Sequence, residues 1–119
     1  MPDQSITLPF KVPNLFAGFA EGRGLAKASP SELVLEFVLK DTVLDLFKSG
    51  MKEIHIPQSE VDAVRLKRGW FGAKVYIRLK SMKWLADLPS CDNGEVTLHV
   101  GRRDRDQAAG FVQMLQQVP

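Results

Sequence analysis

The sequence predicts a mainly β fold: a small barrel or sandwich of about seven antiparallel strands capped by one C-terminal α-helix. Three observations lead there. Apolar and polar residues alternate with period two in one stretch after another, turn-forming residues interrupt that alternation, and only the last stretch shifts to helical spacing. At 119 residues, 45% apolar and 25% charged, the chain has the size and composition of one globular domain, 1–119.

Ile6, Leu8 and Phe10 alternate with Thr7, Pro9 and Lys11. This is a short strand that Pro9, lacking an N–H donor, confines to a sheet edge. With a turn at Pro13-Asn14, residues 1–18 read as an added edge strand and turn. A strand follows over 19–28, and Ser29-Pro30-Ser31 is a tight reversal. Residues 32–40, ELVLEFVLK, form the strongest strand, with Leu33, Leu35, Phe37 and Leu39 on one face and a partly apolar second face. Residues 41–50 read either as a loop or as one helical turn capped by Thr42 and stopped by Gly50. In 52–56, Ile54 and Ile56 face in, Glu53 and His55 face out, and Pro57 ends the strand.

The stretch 60–81, EVDAVRLKRGWFGAKVYIRLKS, is a hairpin with Gly69-Trp70-Phe71-Gly72 as its loop. That loop sets Arg68 opposite Ala73, Lys67 opposite Lys74, Leu66 opposite Val75, Arg65 opposite Tyr76 and Val64 opposite Ile77. Slipping by one residue would send Lys74, Arg78 and Lys80 into the core, so the register is well specified. Ser81 caps a helical turn bearing Met82, Leu85 and Leu88, with Trp84 as a lid or a contact residue and Pro89 as the stop. Asp92-Asn93-Gly94 turns the chain into a strand over 95–100, with Val96, Leu98 and Val100 inward and Glu95, Thr97 and His99 outward. In the final helix Asp104 and Gln107 have capping-box spacing, and Ala108, Phe111, Val112, Leu115 and Val118 form one stripe. Gly110 within it permits close approach to a strand. Arg102, Arg103 and Arg105 crowd the helix start against the macrodipole, to be met by solvent, acidic neighbours or an anion.

Charge is concentrated in the hairpin region. The net charge is +2, yet residues 60–83 hold seven basic and two acidic residues, hence +5, and the remaining nine basic and twelve acidic give −3. Arg65, Lys67, Lys74, Arg78 and Lys80 surround Tyr76 on the outward face with no carboxylate among them. That face is either an anion-attracting strip or a solvated surface that discourages edge pairing. Trp70 and Phe71 are candidate interface residues, or else fold back over the barrel end.

Catalytic parts are sparse. Cys91 is the only cysteine, which excludes an internal disulfide and multi-cysteine zinc sites. His55, His99, Cys91 and Asp87 fall on separate strands and loops, and no catalytic cluster, metal site or cofactor is expected. With no leader-like amino terminus and no apolar run long enough to span a bilayer, a cytoplasmic protein without a transmembrane segment is expected.

The order of strands followed by one amphipathic helix resembles a pleckstrin-homology-like barrel. The sequence also looks like an uncharacterised bacterial group of pleckstrin-homology-like proteins, on KEIHIPQSEVDAVRLKRGWFGAKVYIR at 52–78, MKWLADLP at 82–89 and EVTLHVGRRDRDQA at 95–108. The resemblance covers 19–118. It implies a binding or scaffolding module that often self-assembles, bacterial relatives of this fold being generally not enzymes. Inositol-phosphate-binding members carry a basic pattern across the loop between the first two strands. Here that loop is Lys27-Ala28-Ser29-Pro30-Ser31, no further cation appears until Lys40, and Phe111 is the only aromatic residue of the closing helix. The likeness therefore does not extend to headgroup recognition.

The expected function is a non-enzymatic protein-interaction or self-assembly module, with a protein partner or homo-oligomer. The competing class is weak binding of an anionic membrane surface or nucleic acid through the outward face of 60–81.

Overall fold

The structure, a computed structural model, describes residues 5–15, 20–41, 51–85 and 94–116. Seven strands are present among them: β1 (Ile6–Leu15), β2 (Ala20–Ala28), β3 (Glu32–Asp41), β4 (Lys52–Pro57), β5 (Val61–Arg68), β6 (Gly72–Leu79) and β7 (Glu95–Gly101). One helix, α1 (Arg105–Gln116), follows. All strand pairs are antiparallel, and the order across the sheet is β4-β3-β2-β1-β7-β6-β5. The mainly β fold class with a closing C-terminal helix is thus the one observed.

The alternation read from the sequence decides which side chains enter the core. Leu33, Leu35 and Phe37 of β3, Val75, Ile77 and Leu79 of β6, and Val96, Leu98 and Val100 of β7 are buried in one cluster. Ala108, Phe111, Val112 and Leu115 of α1 join that cluster. Each fully buried large aliphatic side chain contributes about 1.5–3 kcal/mol relative to exposure. The hairpin adopts the expected register, from Arg68 opposite Ala73 to Val64 opposite Ile77, with a shift between Val61 and Ala63.

Three expectations are corrected. β1 is the middle strand of the sheet rather than an added edge, because it pairs with β2 along most of its length and with β7 at Lys11–His99. Pro9 is accommodated because at that position β1 is laddered to β2 alone. Pro13-Asn14 does not turn the chain; β1 runs on to Leu15 with a register shift between Val12 and Leu15, a bulge. Gln107 does not complete a capping box, since its side-chain amide donates to the Thr7 carbonyl of β1.

Polar contacts fasten the helix and the open margin of the sheet. Gln58, in a 3-10 turn (Gln58–Glu60) between β4 and β5, is 5% exposed. Its Nε2 donates to the Met114 and Leu115 carbonyls at 3.2 and 3.3 Å, satisfying acceptors that a helix end leaves free. Gln116 Nε2 donates to the Val64 carbonyl of edge strand β5 at 3.0 Å. A second 3-10 turn (Met82–Leu85) begins with the Lys83 amide donating to Ser81 Oγ at 3.3 Å, the expected cap. Trp84 packs against the core and donates its Nε1–H to Glu60 at 3.1 Å, which is the lid arrangement. Residues 42–50, Leu88, Pro89, Cys91, Asp92, Asn93 and Val118 lie outside the described residues.

Two glycines give opposite outcomes on substitution. A Cβ at Gly24 would lie 1.8 Å from the Glu36 carbonyl oxygen, a backbone atom that moves only with the β2–β3 ladder, whereas at Gly110 it would meet only the end of the Ile6 side chain, Cδ1, at 3.3 Å. Gly24→Ala is expected to cost more than about 3 kcal/mol in urea unfolding. Gly110→Ala is expected to stay within about 1 kcal/mol of wild type, its helix-propensity gain offsetting the shift of Ile6. Equal costs for the two would contradict this account.

Candidate functional site

The charged positions predicted for one outward face separate into three settings. Arg65, Tyr76 and Arg78 form a partly compensated group: the Arg65 guanidinium lies over the Tyr76 ring, 4.6 Å from its centroid, and Arg65 and Arg78 share one carboxylate, each 3.9 Å from Glu95. The face is therefore not free of carboxylates. Glu95 enters from β7, directly opposite Arg78, and no reading of the hairpin alone reveals that neighbour. Lys80 lies one residue past β6 and lines a different hollow, with Gln58, Asp62 and Gln116.

Lys67 and Lys74 face each other across the hairpin, as predicted, and have no carboxylate partner among the described residues. The sheet extends their row. Lys74 is opposite His99 on β7, and His99 is opposite Lys11 on β1. The outward order Lys67, Lys74, His99, Lys11 thus crosses four adjacent strands, about 14 Å at the usual strand spacing. Lys11 and His99 were legible as outward residues; their adjacency to the hairpin depends on a pairing between the two ends of the chain.

Beside this row stands the hairpin tip. The Gly69 amide donates to the Gly72 carbonyl at 2.7 Å, closing the loop. Trp70 is 83% exposed and Phe71 92% exposed, so neither folds back over the barrel. The loop is held from the helix side. Arg105 Nη1 donates to the Gly69 carbonyl at 2.8 Å, and Arg68 Nη2 donates to Asp106 at 2.8 Å and to the Arg105 carbonyl at 3.5 Å. Of the three arginines near the helix start, Arg105 is thereby employed on the loop and Arg102 and Arg103 are exposed. Tip and row together border a hollow of about 600 Å³, whose lining includes Pro9, Lys11, Lys67, Lys74, Trp70, Phe71 and His99, with Asp104 as its one carboxylate.

The two histidines respond to opposite surroundings. His99 is held below its ordinary pKa, first by burial and then by the Lys74 charge. His55 is raised, chiefly by its hydrogen bond to Glu53 and further by Glu32, 3.4 Å away. His55 lies on β4 and His99 on β7, with β3, β2 and β1 between them, so the sheet does not bring the two rings together. Asp87 and Cys91 lie outside the described residues. Among the described residues no group of three or more His, Cys, Asp or Glu side chains gathers to hold a metal ion. No described helix is long and apolar enough to cross a membrane.

Compared with protein-family models, with curated proteins and with solved structures, the chain matches none.

Because the folded state disfavours charge on His99, its contribution to stability is full above pH 6.5 and is lost as pH falls below that value; that of His55 is full below pH 6.5 and is lost as pH rises through its raised pKa. NMR titration of the two imidazoles is expected to place the His99 midpoint below 6.5 and the His55 midpoint above it. Lys74→Ala is expected to return His99 only part of the way, burial being the larger cause. A full return would contradict the assigned order of causes.

Proposed function

We propose that the protein is a non-catalytic interaction module that engages its partner with the tip of the β5–β6 hairpin. The observation that carries this is the exposure of two adjacent aromatic side chains, Trp70 and Phe71, on a loop pinned by two arginines. Bare aromatic rings contribute nothing to the core, whereas on a pre-organised loop they desolvate on contact without an added ordering cost. The fold class and closing helix are consistent with a pleckstrin-homology-like barrel or sandwich; cytoplasmic location and self-assembly enter the proposal from the sequence alone. Three strands separate His55 from His99, so these two rings do not form a joint site.

The protein partner most directly tested is a second copy of the chain. Light scattering across concentration is expected to give wild type a mass above the 13.3 kDa of one chain, rising with concentration. Trp70→Ala Phe71→Ser is expected to remain at the single-chain mass while its unfolding free energy stays within about 0.5 kcal/mol of wild type. A wild type that is strictly monomeric removes self-docking, and a tip variant that is strongly destabilised returns the two rings to a structural role.

A further inference from the structure

Resting on the hairpin tip as the contact element, we infer that the hollow beside it binds single-stranded nucleic acid, with phosphates along Lys67, Lys74 and Lys11 and bases against Trp70 and Phe71. Charge complementarity is the first argument. Three arginines near the row have carboxylate neighbours: Arg65 and Arg78 share Glu95, and Arg68 pairs with Asp106. The three lysines of this row have no such partner among the described residues, although they stand on adjacent strands around His99. Like charges opposed across a ladder cost a few tenths to about 1 kcal/mol, and a polyanion laid across the strands removes that cost. Asp104, the one carboxylate in the lining, leaves the lysines in excess.

The second argument is shape. The three lysines, on strands of one sheet, and the two rings of the loop line one hollow. A flexible strand follows a concave surface, whereas a flat bilayer does not. An acidic peptide satisfies the lysines and offers no bases to stack. Cationic tracks beside exposed aromatics bind single strands with stacking that tolerates any base, because every base has a π-face.

Fluorescence anisotropy with a short labelled thymidine oligonucleotide and its uridine counterpart tests this on the full chain. Three neutralised phosphates predict a slope of log K against log salt near −2, so a fourfold rise in salt weakens binding by roughly twentyfold. Lys67→Ala Lys74→Ala is expected to bring the slope to about −0.7. Trp70→Ala Phe71→Ala is expected to weaken binding by about tenfold or more with the slope unchanged, since stacking releases no counterions. Melting temperatures near wild type for both variants establish that they are folded. Polyglutamate and phosphatidylserine vesicles serve as competing probes. Absence of strand binding at low salt, or equal binding of polyglutamate with no effect of the ring substitutions, overturns the inference. Vesicle capture without strand binding also overturns it, and if that capture is lost in the ring variant the tip stands as the contact element for a bilayer instead.

Discussion

The pairing of β1 on both of its sides is the constraint on which the rest of the structure depends. With β2 on one flank and β7 on the other, it joins the first four strands and the last three into one sheet. The β2 side is laddered from Ile6–Ala28 to Leu15–Ala20, while the β7 side is joined through Lys11–His99. α1 lies chiefly against β5 and β1, and the Gln107 side chain is committed to the Thr7 carbonyl. The same strand that completes the core surface therefore sets Lys11 beside His99. Architecture and candidate site share one origin.

Electrostatics on the outer face is uneven in a way that local sequence does not foreshadow. Solvent-screened ion pairs such as Arg68–Asp106, whose carboxylate is fully exposed, add little to stability, so their value lies in fixing geometry. Arg68 and Arg105 spend their hydrogen bonds on the root of the hairpin loop, and Glu95 offsets part of the charge of Arg65 and Arg78. Among the described residues the row of Lys67, Lys74 and Lys11 receives no comparable compensation and adjoins the two most exposed large apolar side chains, Trp70 and Phe71. Cations and bare rings in one place disfavour the isolated protein slightly and favour it when a ligand bearing both charge and apolar surface arrives.

Closure of the sheet margin relies on polar groups, of which Gln58 is buried. Gln58 terminates α1, Gln116 covers an edge carbonyl of β5, and Trp84 with Glu60 seals the turn between β4 and β5. An amide is suited to such a place because its two donors meet two carbonyls without the desolvation cost of a charge. Neither glutamine stands out in the sequence, as each follows an ordinary turn or helix pattern and its partner is more than fifty residues away.

The hairpin register, the inward sets of β3, β6 and β7, and the buried stripe of α1 were all legible in the sequence. In each case a period of two or of 3.6 residues fixes which side chains face the core, and a slip would bury charge. Trp70 and Phe71 were legible as loop residues, and their exposure was not, because it depends on Arg68 and Arg105 holding the loop from the helix side. The position of β1 was misread from Pro9, since proline limits the ladder locally while the choice of partner strand is set by the whole core. Sequence by itself thus determined the alternation, the hairpin turn and the outward placement of the cations. Only the tertiary structure decided which of those cations are matched by Glu95 and Asp106 and which stand unmatched in one row, because long-range strand pairing selects neighbours that no local pattern encodes.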